Sequence, residues 1–126
     1  MRLEAEAAQL AAELMRQRET MMTRVPVHED FADVSPEPMP VFVLRPDGYL
    51  VQKDSKVMFE HRLPDGINLS YVGGLDLGEL YHGDVSFQMT GNASPMTIIL
   101  QWGKEARYVV IDRVGRVRVS LTPPGE

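Results

Sequence analysis

The sequence predicts an α+β fold, with a long N-terminal α-helix packed on two antiparallel β-sheets. Three observations carry this. Residues 2–23 hold a helical apolar stripe built from good helix formers. From Val41 onward the pattern switches to about eight short runs separated by turn formers, the signature of a β-meander. The last third, Gly83 to Leu121, reads as four such runs in succession with one dry face. At 126 residues the chain is one domain, large enough to bury a core without staples.

The helix comes first. Leu3, Ala7, Leu10 and Leu14 recur at spacings of three and four, and Met21 lies a heptad on. Glu4, Glu13, Arg16, Gln17 and Glu19 occupy much of the remaining surface. Such a helix is roughly 33 Å long. No capping residue precedes Leu3, so the stretch reads as the tail of a longer helix whose start lies upstream. Val25-Pro26 ends it.

Residues 27–40 are acidic and proline-bearing, with Glu29, Asp30, Asp33 and Glu37 among Pro36, Pro38 and Pro40, and form an irregular connector. Val41–Leu44 is a short apolar strand. Pro46-Asp47-Gly48 turns the chain, Pro setting the first turn angle and Gly accepting a positive φ. Tyr49–Gln52 and Lys56–Glu60 are the next strands. Pro64-Asp65-Gly66 repeats the turn, and Ile67, Leu69 and Tyr71 alternate with Asn68 and Ser70. Gly73, Gly74, Gly78 and Gly83 make residues 72–83 a flexible surface loop. Val85, Phe87 and Met89 then alternate with polar residues, and Thr90 to Pro95 breaks the pattern. Met96, Ile98, Leu100 and Trp102 line one face of the following strand. Gly103-Lys104-Glu105-Ala106 closes a hairpin into Arg107–Asp112. Arg113-Val114-Gly115 turns again, and Val117, Val119 and Leu121 alternate with Arg116, Arg118 and Ser120.

Composition narrows the function classes. The net charge is −5, unevenly spread: residues 25–82 carry ten acids against four bases, residues 83–126 four against five. An acidic chain disfavours non-specific nucleic-acid binding. There is no cysteine, which excludes a disulfide scaffold, a zinc-thiolate centre and a cysteine nucleophile. No run of about 18 apolar residues offers a transmembrane span. His28, His61 and His82 have no metal-ligand spacing, and surface or structural roles are expected for each. The serines lack a nucleophile-elbow context, and no Gly-Lys-Ser/Thr follows the glycines at 73, 74 and 78. Neither a catalytic centre, a cofactor nor a metal is expected. The remaining candidate contact residues are Arg113, Arg116 and Arg118. Arg116 and Arg118, two apart on a strand, share a face that could meet phosphates or a protein partner, or simply solvate an outer strand.

Ala7-Ala8-Gln9-Leu10-Ala11-Ala12-Glu13-Leu14 in the helix is followed, near the end, by five pieces in a set order. These are Val85–Phe87, the loop glycine Gly91, the isoleucine-rich Thr97–Leu100, Val109–Asp112 and Gly115–Val117. This order resembles the H-type minor pseudopilins of type II secretion systems and the related minor pilins of type IV pili. The resemblance covers the helix and the last forty residues best. It implies a pilin-like β-sandwich, with residues 1–24 as the C-terminal half of a pilin-type helix and 25–126 as a periplasmic globular domain. It also implies an inner-membrane anchor in a hydrophobic half-helix that this sequence does not contain. The implied role is structural: a subunit at or near the tip of a periplasmic pseudopilus that assists export of folded proteins across the outer membrane. Its partners would be other major and minor pseudopilins and the secreted substrates. Leu3, Ala7, Leu10 and Leu14 would serve filament packing. Related DNA-uptake pilins carry a Gly-Arg-x-Arg motif, which Gly115-Arg116-Val117-Arg118 matches, so a DNA-binding minor pilin is the alternative.

Overall fold

The computed structural model describes residues 2–23, 40–53, 55–73, 84–85, 87–88 and 90–122. One helix, α1 (Arg2–Met22), precedes eight strands: β1 (Val41–Arg45), β2 (Gly48–Lys53), β3 (Lys56–Arg62), β4 (Ile67–Gly73), β5 (Asp84–Val85), β6 (Met96–Trp102), β7 (Glu105–Ile111) and β8 (Val117–Ser120). They form two antiparallel four-stranded sheets, ordered β3-β2-β1-β5 and β4-β6-β7-β8. The fold is α+β, with the helix packed on the sheets.

The helical stripe determines how α1 docks. Leu3, Ala7, Leu10, Ala11, Leu14, Gln17 and Met21 are its buried residues. They meet the second sheet along β6, β7 and β8. Paired residues of an antiparallel ladder share a face. The pairs Ile98↔Val109 and Met96↔Ile111 therefore put four core side chains on one side of that sheet, all 5 % exposed or less. Phe42, Leu44, Tyr49 and Val85 supply the first sheet's share of a single hydrophobic cluster that includes the helix. Phe42 and Tyr49 stack at 5.4 Å. Each buried Leu or Phe contributes about 1.5–3 kcal/mol by leaving water.

The four stripe residues expected to pack a filament are spent inside the chain. Leu3, Ala7, Leu10 and Leu14 are all 0 % exposed. A neighbouring helix would instead meet the opposite row, where Ala5, Ala8, Ala12 and Met15 are exposed.

Gly83–Leu121 departs from a run of four strands in one sheet. β5 is two residues long and joins the first sheet through Phe42↔Val85 and Val43↔Asp84. Phe87 then makes only an isolated bridge to Ala93, because Gly91 N–H donates to the Gln88 carbonyl and Gln88 N–H to the Asn92 carbonyl, closing a tight turn. The dry face also ends earlier than the alternation suggests. Trp102 is 44 % exposed at the end of β6, and Val119 and Leu121 are 41 % and 67 % exposed at the β8 edge, where no further strand among the described residues covers them.

Gly48 serves its turn differently from the expected positive φ. Its φ is not in the left-handed region, whereas that of Gly66 is +93°. What Gly48 supplies is room: a Cβ there would strike the His61 carbonyl oxygen across the β2–β3 ladder. That ladder has one irregularity. Val51 pairs with Phe59 but Gln52 with Val57, so Met58 is an extra residue, a β-bulge. Of the expected 72–83 loop, Val72 and Gly73 instead end β4; its remainder, residues 74–83 with His82, and residues 27–39 of the 27–40 connector with His28 lie outside the described residues.

Candidate functional site

The candidate site lies at the C-terminal end of α1, where the helix meets the β7–β8 turn. A groove of about 670 Å³ runs between Met15, Arg18, Glu19 and Met22 of the helix and Asp112, Arg116 and Arg118 on the sheet side. Met15 and Met22 are nearly half exposed along its helical wall.

Asp112 builds the turn. Its Oδ1 accepts from the Val114 amide at 3.1 Å and the Arg116 amide at 2.9 Å, and its Oδ2 accepts from Arg116 Nε at 2.9 Å. The Arg116 amide first, then the Arg116 guanidinium and the Val114 amide, hold the carboxyl below its ordinary range. Gly115 N–H donates to the Asp112 carbonyl at 2.9 Å. Gly115 has φ +84° and backs onto the Gly91 carbonyl so closely that no Cβ fits.

Arg18 ties this turn to its neighbour. Its Nε donates to the Gly91 carbonyl at 3.0 Å and its Nη2 to the Val114 carbonyl at 3.2 Å. Ala93 N–H donates to the Arg113 carbonyl at 3.1 Å and links the same two loops. One guanidinium thus fixes the helix end to two loops that are remote in sequence.

Of the three arginines read as contact residues, Arg116 is engaged by Asp112, while Arg113 and Arg118 are exposed and make no ion pair among the described residues. Arg118 pairs with Val110, and Val117 and Val119 pair with Ile111 and Val109, so Arg118 points away from the core face. Arg116 precedes β8 and belongs to the turn rather than to the strand.

A second polar cluster, at the other end of the helix, joins α1 to β3. His61 Nε2 and Glu6 Oε1 are 2.7 Å apart, and Gln9 Nε2 lies 3.3 Å from His61 Nδ1. An amide nitrogen can only donate, so this arrangement puts the imidazole proton on Nε2, donating to Glu6. The His61 ring packs on Tyr49 at 5.1 Å. His61 thus ties α1 to β3. Arg18 was not foreseen. The available signal was a basic residue at the border of the apolar stripe, one turn beyond Leu14.

Among the described residues, no group of three or more His, Asp or Glu side chains is placed to hold a metal ion, and no helix is long and apolar enough to cross a membrane. Comparison of the chain with protein-family models, with curated proteins and with solved structures gave no match.

Proposed function

We propose that the chain is the folded part of a minor pseudopilin, a structural subunit of a type II secretion pseudopilus that works by assembly rather than catalysis. The observation that supports this reading is the helix. It buries one face along its own antiparallel sheet and leaves the alanine-rich row of Ala5, Ala8 and Ala12 exposed. Small side chains let a second helix approach closely, which suits a spine that packs against neighbours in a filament. On this reading the periplasm is where the domain works, and other pseudopilins and exported substrates are its partners.

Co-elution with the pilin-type subunits of the same organism tests it, with Ala8→Cys and Ala12→Cys as crosslinking sites on an otherwise cysteine-free chain. Crosslinks from these positions to at least one such subunit are expected. Failure of every one of them to associate would sink the reading.

The alternative is a type IV minor pilin that grips DNA through its C-terminal strand. It draws on the exposed Arg113 and Arg118. The engagement of Arg116 by Asp112 and the net charge of −5 weigh against it. Retardation of DNA that falls steeply with salt and is lost in Arg113→Gln/Arg118→Gln would favour it. A gel without retardation at low salt would remove it.

A further inference from the structure

The far end of the second sheet, away from the groove, carries a cluster that the assembly reading does not use. The ladder pairs Trp102 with Glu105, Leu100 with Arg107 and Val109 with Val119. Trp102, Arg107 and Val119 therefore share one face, with Arg107 diagonal to both of the others and within reach of their side chains. This is also the face of the fully buried Ile98, Leu100 and Val109. Toward the hairpin tip and the β8 edge its burial runs out: Trp102 is 44 % and Val119 41 % exposed, and Leu121, just past β8, is 67 % exposed.

Arg107 lies on the same face and is partly buried. Its Nη1 donates to the Ala106 carbonyl at 2.9 Å, while its Nε is buried without an acceptor among the described residues. Among the described residues it has no carboxylate partner, although Glu105 sits two residues away on the same face. Single exposed apolar side chains are ordinary on a protein surface. Exposed apolar side chains on the same face as a guanidinium that has no carboxylate partner make an anion-seeking centre in an apolar frame, with the Trp and Arg composition common at interface anchors.

We propose that the Trp102–Arg107–Val119 face binds a protein segment that presents a carboxylate flanked by apolar side chains. The donors left on the Nη side of the guanidinium suit the planar carboxylate of such a segment, while the buried Nε stays out of its reach. The apolar neighbours of that carboxylate cover Trp102 and Val119 and keep water from the pair. This inference does not depend on the pilin reading.

Trp102 is the chain's single tryptophan, so its emission reports on this face alone. The probe is the capped tripeptide acetyl-Leu-Glu-Leu-amide, titrated to about 10 mM, above the ~1 mM range expected of so small a contact. A saturable blue shift is expected. The Gln counterpart of the peptide should bind about tenfold more weakly, because it lacks the charge. Arg107→Gln should abolish the shift, and Arg107→Lys, which keeps the charge but loses the fork, should weaken it. The latter carries the comparison should Arg107→Gln fail to fold. Arg45→Gln, on the other sheet, should leave it unchanged. No saturable shift, equal binding of the Gln peptide, or an unaltered response in both Arg107 variants would overturn the proposal. An equal response to inorganic phosphate would overturn the assignment to a protein segment.

Discussion

Tyr49 is 1 % exposed, and its phenolic oxygen is buried without a partner among the described residues. Burial first, then the nearby Glu6 and Glu13 carboxylates, push the phenol well above its ordinary range. Removing a buried donor that has no acceptor relieves a cost instead of creating one. Tyr49→Phe should therefore be neutral or stabilising by up to about 1 kcal/mol in urea unfolding; a clear loss of stability would show that the hydroxyl has a partner. Asp112 works in the opposite sense. Its folded-state pKa is depressed, so it adds stability that is present above the ordinary carboxylate range and is lost as pH falls through the folded-state value. Arg116→Gln removes only the guanidinium part of that depression. A carboxyl-detected NMR titration should show Asp112 moving up in the variant yet staying below an exposed aspartate, since the two amide bonds remain. An unchanged titration would assign the depression to the backbone alone.

At the scale of elements, the helix end is secured by Arg18. Arg18→Ala removes its bonds to the Gly91 and Val114 carbonyls, and about 1–2 kcal/mol of stability should go with them. Hydrogen exchange should quicken in the 90–93 and 112–116 loops while the centre of α1 stays protected. Equal quickening along the whole helix would mean that Arg18 holds α1 itself. These contacts also mark where the sequence stops being legible. The stripe from Leu3 to Met21 could be read because helical periodicity is local. The strands could be read for the same reason, from alternation and the Pro-Asp-Gly turns. The partners of Arg18 lie 73 and 96 residues away, and no local pattern encodes them. Nor does alternation say which sheet a strand joins, so β5 went to the first sheet unannounced. The candidate arginines were legible as residues, but the engagement of Arg116 by Asp112 depends on a turn geometry that spacing alone does not give.

The molecule as a whole shares one hydrophobic cluster, drawn from the helix and both sheets. Such a core unfolds as a unit. Trp102 emission, which follows the second sheet, and far-UV circular dichroism, which is weighted to the helix, should give coincident urea transitions; an earlier loss of ellipticity would show that α1 detaches first. The bulge at Met58 bears on how these molecules behave in a crowd. β3 is an edge strand, with Val57 and Met58 more than half exposed. Laid antiparallel on a second β3 with Met58 at the axis, its sequence would align Lys56 with Glu60 and Val57 with Phe59, a match that invites strand-to-strand aggregation. The extra residue forbids it. Lys56 and Phe59 share the face of Lys53 and Val51, whereas Val57 and Glu60 share that of Gln52 and Leu50. Each would-be partner sits on the wrong side of the sheet, so the bulge removes the one register in which this edge would read as its own complement.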